Sequence, residues 1–221
     1  MQLRPHQEQA IKAMLRNTKG QIIVPTGGGK TMCMIDDAMN EFSRSYGQTI
    51  VVVAPRILLA NQLSSEFLEF IDNAEVLHVH SGETHHYSTT KASEISVWST
   101  KNAVSNQIIF TTYHSLHRVQ ESDIHVDTIY FDEAHNSVQK NFFPAVEHLS
   151  TSIFTRAYFF TATPKHSLTP SKAGMNWTKV YGNVICNVPA PKLVKQGYIL
   201  PPKVEVYKTR ILDKDELVAD R

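Results

Sequence analysis

The chain has 221 residues, 42% of them hydrophobic, and 22 basic against 21 acidic side chains leave a formal net charge of +1. These values exclude a chain too polar to fold and leave length for one large or two small domains. They also exclude a global positive field, so any binding of nucleic acid has to come from local placement of donors and cations.

Behind Pro5, the residues Ala10, Ile11, Met14 and Leu15 recur at helical spacing and predict a first helix over 6–17. The apolar run Gln21-Ile22-Ile23-Val24 predicts a first strand, and Met34, Ile35 and Ala38 a helix after Thr31. Further apolar runs at 49–53, 75–79, 107–110, 128–131 and 157–160 predict buried parallel strands, with a helix over 57–71 between the first two. Strands alternating with helices imply right-handed crossovers and a mainly parallel sheet covered on both faces. The polar segment 81–105, anchored by Trp98, reads as a surface excursion holding one helix. Beyond Pro164 the alternation weakens: 165–172 reads as loop, 180–188 as strand, 189–202 as a short helix between prolines, and 204–207 as a last strand.

Cys33 and Cys186 lack paired metal-ligand spacing, which predicts a reduced intracellular protein with Cys33 in the core. No apolar stretch approaches bilayer length and the first residues lack the apolar run of a signal peptide, so the expected location is the cytoplasm, with no membrane partner. His78, His80, His85 and His86 have no completing cysteine or acid pair, and no structural metal is assigned to them. Trp177, Phe142 and Phe143 read as packing residues.

Residues Val24-Pro25-Thr26-Gly27-Gly28-Gly29-Lys30-Thr31 lie between the first strand and its helix, the layout of a nucleotide phosphate-binding loop. Gly27, Gly28 and Gly29 let backbone N–H groups approach a polyphosphate, Lys30 adds a cation, the helix N-terminus adds its dipole, and Thr31 offers a hydroxyl for Mg²⁺. Val24 stands where the usual pattern opens with Gly, and a glycine-rich turn without a ligand stays open on this motif alone. The partner motif is Asp132-Glu133-Ala134-His135, delivered by the strand at 128–131. Asp132 is placed to hold Mg²⁺ through water, and Glu133 to orient and deprotonate an attacking water.

In this order the motifs resemble the superfamily 2 helicases and translocases over nearly the whole chain, specifically the DEAH-box branch with restriction-enzyme translocating subunits and phage recombination helicases. The resemblance implies an α/β, three-layer, RecA-like P-loop NTPase fold with a mainly parallel central sheet flanked by helices, and ATP with Mg²⁺ as cofactors. Within Leu3-Arg4-Pro5-His6-Gln7 it implies an adenine-reading element, with the Gln7 amide toward the base edge and Arg4 nearby. Pro55 and Arg56 fall in its first nucleic-acid motif and Thr111 and Thr112 in the next, where hydroxyls and backbone N–H groups hold a single strand by its phosphates. Ile57 and His114 depart from the residues usual there. Thr161-Ala162-Thr163-Pro164 is similar to the coupling motif, whose hydroxyls, Thr161 and Thr163 here, would bond toward His135. The implied catalytic set is Lys30, Asp132, Glu133 and His135. The nucleotide set is Arg4, Gln7, Thr26, Gly27, Gly28, Gly29, Lys30 and Thr31, with Thr31 and Asp132 on the metal.

Residues 195–202 resemble the segment that leads out of the first lobe, so 1–180 is expected to be the ATP-binding lobe and 181–221 a connection toward a second lobe. Beyond Thr163 only Arg210 and Arg221 remain, without the paired arginines of the last family motif, and the lobe alone is expected to bind ATP weakly, hydrolyse it slowly and unwind nothing. The expected function is the motor lobe of a nucleic-acid-dependent ATPase that translocates on or unwinds DNA, single-stranded or forked. DNA is favoured over RNA by resemblance only. Two readings from other classes remain: a non-catalytic nucleic-acid-binding or regulatory module of the same fold, and a small-molecule phosphotransferase. The intact Lys30, Thr31, Asp132 and Glu133 argue against the first, and Thr111, Thr112 and the Thr161–Thr163 run have no use in the second.

Overall fold

A computed structural model describes residues 2–206. In chain order the elements are α1 (Pro5–Arg16), β1 (Lys19–Ile23), α2 (Lys30–Arg44), β2 (Thr49–Ala54), α3 (Ile57–Leu68), β3 (Ala74–Val79) and α4 (Ala92–Lys101). There follow β4 (Asn106–Thr112), α5 (Leu116–Glu121), β5 (Thr128–Phe131), a 3-10 turn (Ala134–Asn136), α6 (Phe143–Ser150), β6 (Arg156–Thr161), α7 (Thr178–Tyr181), β7 (Val184–Asn187) and α8 (Ala190–Lys195). The strands form one seven-stranded sheet in the order β3-β4-β2-β5-β6-β1-β7, every pairing parallel. The expected α/β three-layer fold is the one found.

Why these runs become strands follows from period-two burial on both faces. Ile50, Val52 and Ala54 of β2 pack with Ala10, Met34 and Phe67 from α1, α2 and α3, whereas Val51 and Val53 pack with Ile95, Leu116 and Val146 from α4, α5 and α6. A strand buried on both sides favours apolar residues at successive positions; β2 and β4 are buried along their whole length, and the polar Gln107 and Thr111 of β4 are accommodated by hydrogen bonds to backbone carbonyls. Each fully buried Val, Ile or Phe contributes about 1.5–3 kcal/mol, which ties both helix layers to the sheet. Among the described residues no helix is long and apolar enough to cross a membrane. Cys33 and Cys186 are both free and buried, and burial pushes the Cys33 thiol up to about 12, so it behaves as an apolar core group.

Several elements differ from the sequence expectation. The strand expected at 180–188 is confined to Val184–Asn187, because Val180 and Tyr181 belong to the turn of α7, which Gly182 ends at φ 66°. The amide of Gln21 on β1 donates to the carbonyls of Met175 and Gly182 and so staples this turn to the sheet. β7 pairs with β1, and Leu193 of α8 is fully buried in the core, so the sheet and its packing continue past the boundary expected at 180. Residues 204–206 are not strand, and Tyr207 lies outside the described residues. In the excursion the helix is α4, but Ile95 rather than Trp98 is its fully buried anchor.

The edge strand β3 carries a buried imidazole chain. The Gly82 N–H donates to His80 Nδ1 at 3.1 Å, which leaves the His80 proton on Nε2, 3.1 Å from His78 Nδ1, and puts the His78 proton on Nε2, 2.9 Å from Ser64 Oγ. All four ring nitrogens are thus engaged in one tautomeric arrangement. Burial, then the neighbouring His80 and His86, push His78 down from 6.5 to about 4. Because the folded value lies below the unfolded one, the stabilisation is fully present above pH 6.5 and is lost as pH falls toward about 4. Melting temperatures recorded across that window should fall with acidification, and His78→Gln should flatten the dependence. An equally acid-sensitive variant would remove the histidine from this account.

Candidate nucleotide and nucleic-acid site

Strand order converts distant motifs into a line. β1, β6, β5, β2 and β4 are consecutive neighbours, so the residues that follow them stand side by side along the carboxyl edge of the sheet. At about 4.8 Å per strand, the phosphate loop after β1 and the loop after β4 lie roughly 19 Å apart, with the acid pair after β5 between them. Carboxyl edges of open parallel sheets are where ligands collect.

The loop after β1 is shaped by its glycines. Gly27 and Gly29 both hold φ 79°, Gly29 as the N-cap of α2, a conformation unfavourable for residues with a side chain. A Cβ at Gly28 would collide with Val24 Cγ1 and stand 2.9 Å from Pro25 O. Val24 can therefore replace the usual opening glycine because Gly28 leaves room for it; its own side chain is buried in the core. Two neighbouring side chains of α1 hold the loop from behind: His6 Nε2–H donates to Gly28 O at 2.6 Å and the Gln7 amide to Gly29 O at 2.9 Å. In a planar trans peptide C=O and N–H point opposite ways, so drawing these carbonyls toward α1 turns the N–H groups of Gly29 and Lys30 away from it. That is the orientation a bound polyphosphate requires.

Gln7 therefore has a different setting from a solvent-facing base reader. It is buried, its Oε1 accepts the Arg4 backbone N–H at 2.8 Å, and its Nε2 is committed to Gly29. The Arg4 guanidinium lies over the Tyr198 ring, 4.8 Å from its centroid. Thr26 and Gly27 are exposed at the loop tip, and Thr31 is half-buried on the first turn of α2.

The acid pair meets the lysine. Lys30 Nζ is ion-paired with Glu133 and lies 3.4 Å from Asp132 Oδ1. Asp132 Oδ1 is buried without a hydrogen-bond partner, which makes it an orphaned acceptor suited to a cation or to water held by one. Burial pushes the Asp132 carboxyl up, Lys30 pulls it back, and Glu133 adds to the rise. Glu133 sits at φ 47°, ψ 54°, a left-handed conformation that costs a non-glycine residue roughly 1–3 kcal/mol and is found where function holds it. The donor set thus fits a Mg²⁺-bound triphosphate: glycine N–H groups and Lys30 for phosphate oxygens, Thr31 and Asp132 for the ion.

His135 Nδ1 lies 2.9 Å from Thr161 Oγ1, and the same hydroxyl accepts the Thr163 N–H at 3.1 Å. Of the two threonines expected to reach toward His135, Thr161 does so by its hydroxyl, and Thr163 joins through its backbone. Burial lowers the His135 imidazole, Glu133 opposes this and Lys165 adds to it. A neutral ring can exchange a hydrogen bond with Thr161 in either direction.

On the other side of the acid pair, Arg56 is exposed as the N-cap of α3, next to half-buried Pro55, and makes no side-chain capping bond to the first turn of α3, whose leading N–H groups have no partner within the helix. Thr111 is corrected by the structure: β4 runs through Thr112, and Thr111 is fully buried with its hydroxyl donating to Val79 O at 2.8 Å. It is a strand residue and offers nothing to solvent. Thr112 is buried as well, and the exposed side chain of this loop is His114. Sequence reasoning missed His6, which lay inside a motif quoted for its neighbours, and what marks it is burial of a polar side chain, which no local pattern displays.

The sequence model of the family described as type III restriction enzyme, res subunit, matches residues 1–166. No curated protein matches the chain. Among solved structures it is similar to a nuclease-deletion mutant of the type ISP restriction-modification enzyme LlaGI in complex with a DNA substrate mimic (TM-score 0.74, 20% identity, 90% of this chain and 21% of that one). It is also similar to the UvsW helicase from bacteriophage T4 (0.57, 15%, 83% and 60%) and the Hef helicase domain of Pyrococcus furiosus (0.58, 20%, 81% and 37%). At such identities the likeness is one of fold, and the chain spans about a fifth of the length of the LlaGI chain.

Proposed function

This chain belongs to the family of the type III restriction enzyme res subunit, and from that premise we propose that it is the ATP-binding first lobe of a nucleic-acid-dependent translocase or helicase acting on DNA. The observation that carries the reading is the convergence of Lys30, from the loop after β1, on Asp132 and Glu133, which follow β5. Lys30 and the N–H groups of Gly29 and Lys30 bind the phosphates. Thr31 and Asp132 hold Mg²⁺, which when bound screens the charge that develops on the phosphate oxygens. Glu133 orients water and accepts its proton, and His135 with Thr161 passes the state of this site along β6.

Arg56, the first turn of α3 and the loop at His114 hold the sugar-phosphate backbone, a contact with little sequence preference. Support for DNA comes from the restriction-modification enzyme among the similar folds, which is in complex with a DNA substrate mimic. We place the end of the lobe after α8, with the following residues leading to a second lobe that supplies transition-state arginines.

The test is equilibrium binding of Mg–ATP and a single-stranded oligonucleotide to the chain, followed by ATP turnover with both lobes present. Nucleotide binding that Lys30→Ala abolishes, and turnover that single-stranded DNA stimulates, are expected. Turnover indifferent to DNA would favour a phosphotransferase, and no turnover a binding module. Slow hydrolysis by the lobe alone is expected, since an arginine supplied from outside is worth about 10³–10⁵ in rate.

A further inference from the structure

The loop after β4 and the acid pair after β5 are joined by a buried side chain. Tyr113 follows β4 directly, its N–H bonded to Ala54 O at 3.2 Å, and its ring runs under the end of β5 with 2% of the residue exposed. Its hydroxyl donates to the backbone carbonyl of Asp132 at 2.7 Å.

The ring is fixed on both sides. It stacks on Phe131 at 6.3 Å and on Phe142 at 5.9 Å, and Phe142 takes the exposed His114 ring edge-on at 4.7 Å. A contiguous path therefore runs from His114 at the surface through Phe142 and Tyr113 to Asp132.

The carbonyl that Tyr113 holds belongs to the peptide plane that also contains the Glu133 nitrogen. Because that plane is rigid, fixing the carbonyl direction fixes the starting direction of Glu133, whose φ of 47° is available only in a narrow range. A small shift of the tyrosine hydroxyl tilts the plane and swings the Glu133 carboxylate relative to Lys30.

We propose that Tyr113 is a positioning residue through which a nucleic-acid strand lying on the His114 loop sets the orientation of Glu133. The proposal rests on the function proposed above and adds a route distinct from the Thr161–His135 bond. That bond approaches the acid pair from β6, on the nucleotide side, whereas Tyr113 approaches from β4, on the strand side. By linkage, a strand that alters the acid pair alters nucleotide affinity by the same factor that nucleotide alters strand affinity.

The experiment measures the affinity of the chain for the Mg²⁺ complex of ATPγS with and without a twenty-nucleotide oligo-dT, and the reciprocal pair. For the unsubstituted chain the two ratios should agree at about fivefold or more, within the usual span of such couplings. Tyr113→Phe deletes only the hydroxyl and should bring both ratios to within twofold of unity. Tyr158→Phe is the control: it removes an equally buried hydroxyl, bonded to Met14 O at 2.8 Å away from the site, and should keep the ratios while lowering the melting temperature. Coupling retained in Tyr113→Phe, or lost equally in Tyr158→Phe, overturns the proposal while leaving the proposed function standing. An unsubstituted chain that binds neither probe overturns the function itself, and the inference with it.

Discussion

Glu133→Gln should lower single-turnover hydrolysis of bound ATP by about 10²–10⁴, the usual contribution of a positioned general base, while leaving nucleotide affinity unchanged or raised. The two readouts move apart because of what Lys30 touches. Its ammonium is ion-paired with Glu133 and stands 3.4 Å from Asp132, so an arriving triphosphate competes with two carboxylates for one cation. Neutralising Glu133 removes one competitor and one negative charge from the neighbourhood of the phosphates. Lys30→Ala removes the cation itself, leaves both acids without their counter-charge, and should weaken binding sharply. Phosphate release and fluorescent-nucleotide titration on the same preparations separate the cases. A glutamine variant that hydrolyses within tenfold of the parent would deny Glu133 the role of base, and one that no longer binds would assign it to binding.

Which parts of this site could be read from the residues depends on how local their signals are. The glycines, Lys30 and the acid pair announce themselves by short-range pattern, and the strands that carry them are continuous apolar runs because both of their faces are buried. What local pattern does not contain is the order β3-β4-β2-β5-β6-β1-β7, which sets the acid pair between the phosphate loop and the strand-binding loops. Thr111 illustrates the consequence. As part of a hydroxyl-rich loop it reads as a donor to phosphate, yet β4 extends two residues beyond its apolar run, and the edge pairing with β3 places Val79 O within reach of that hydroxyl.

The contacts of Gln7 are likewise set by tertiary packing rather than by local pattern. Its position on α1 is legible, but the packing of α1 against α2 turns its amide onto Gly29.

At the opposite end of the sheet, Asp37→Ala should destabilise the lobe by about 3–5 kcal/mol, the cost of leaving one member of a buried ion pair unmatched. Asp37 on α2 is fully buried, and Arg156 at the start of β6 grips it bidentately, at 2.8 Å to Oδ1 and 3.0 Å to Oδ2. Tyr130 of β5 donates its hydroxyl to the same carboxylate, Thr128 bonds the guanidinium at 3.2 Å, and Glu41 pairs with it at 3.2 Å. Three elements that carry the phosphate loop's helix, the acid pair and the coupling threonine are thus locked together by one carboxylate. Removing it strands a guanidinium that is one-fifth exposed and that, among the described residues, keeps Glu41 as its ion-pair partner. The double replacement Asp37→Leu with Arg156→Met should recover most of the loss, because an apolar pair avoids the desolvation that the ion pair has to offset. Chemical denaturation of the two variants decides the matter: a loss below about 1 kcal/mol for Asp37→Ala would mean that the network is solvated, and a double variant no better than the single one would locate the stabilisation in the hydrogen bonds that Tyr130 donates and Thr128 accepts rather than in the charge pair.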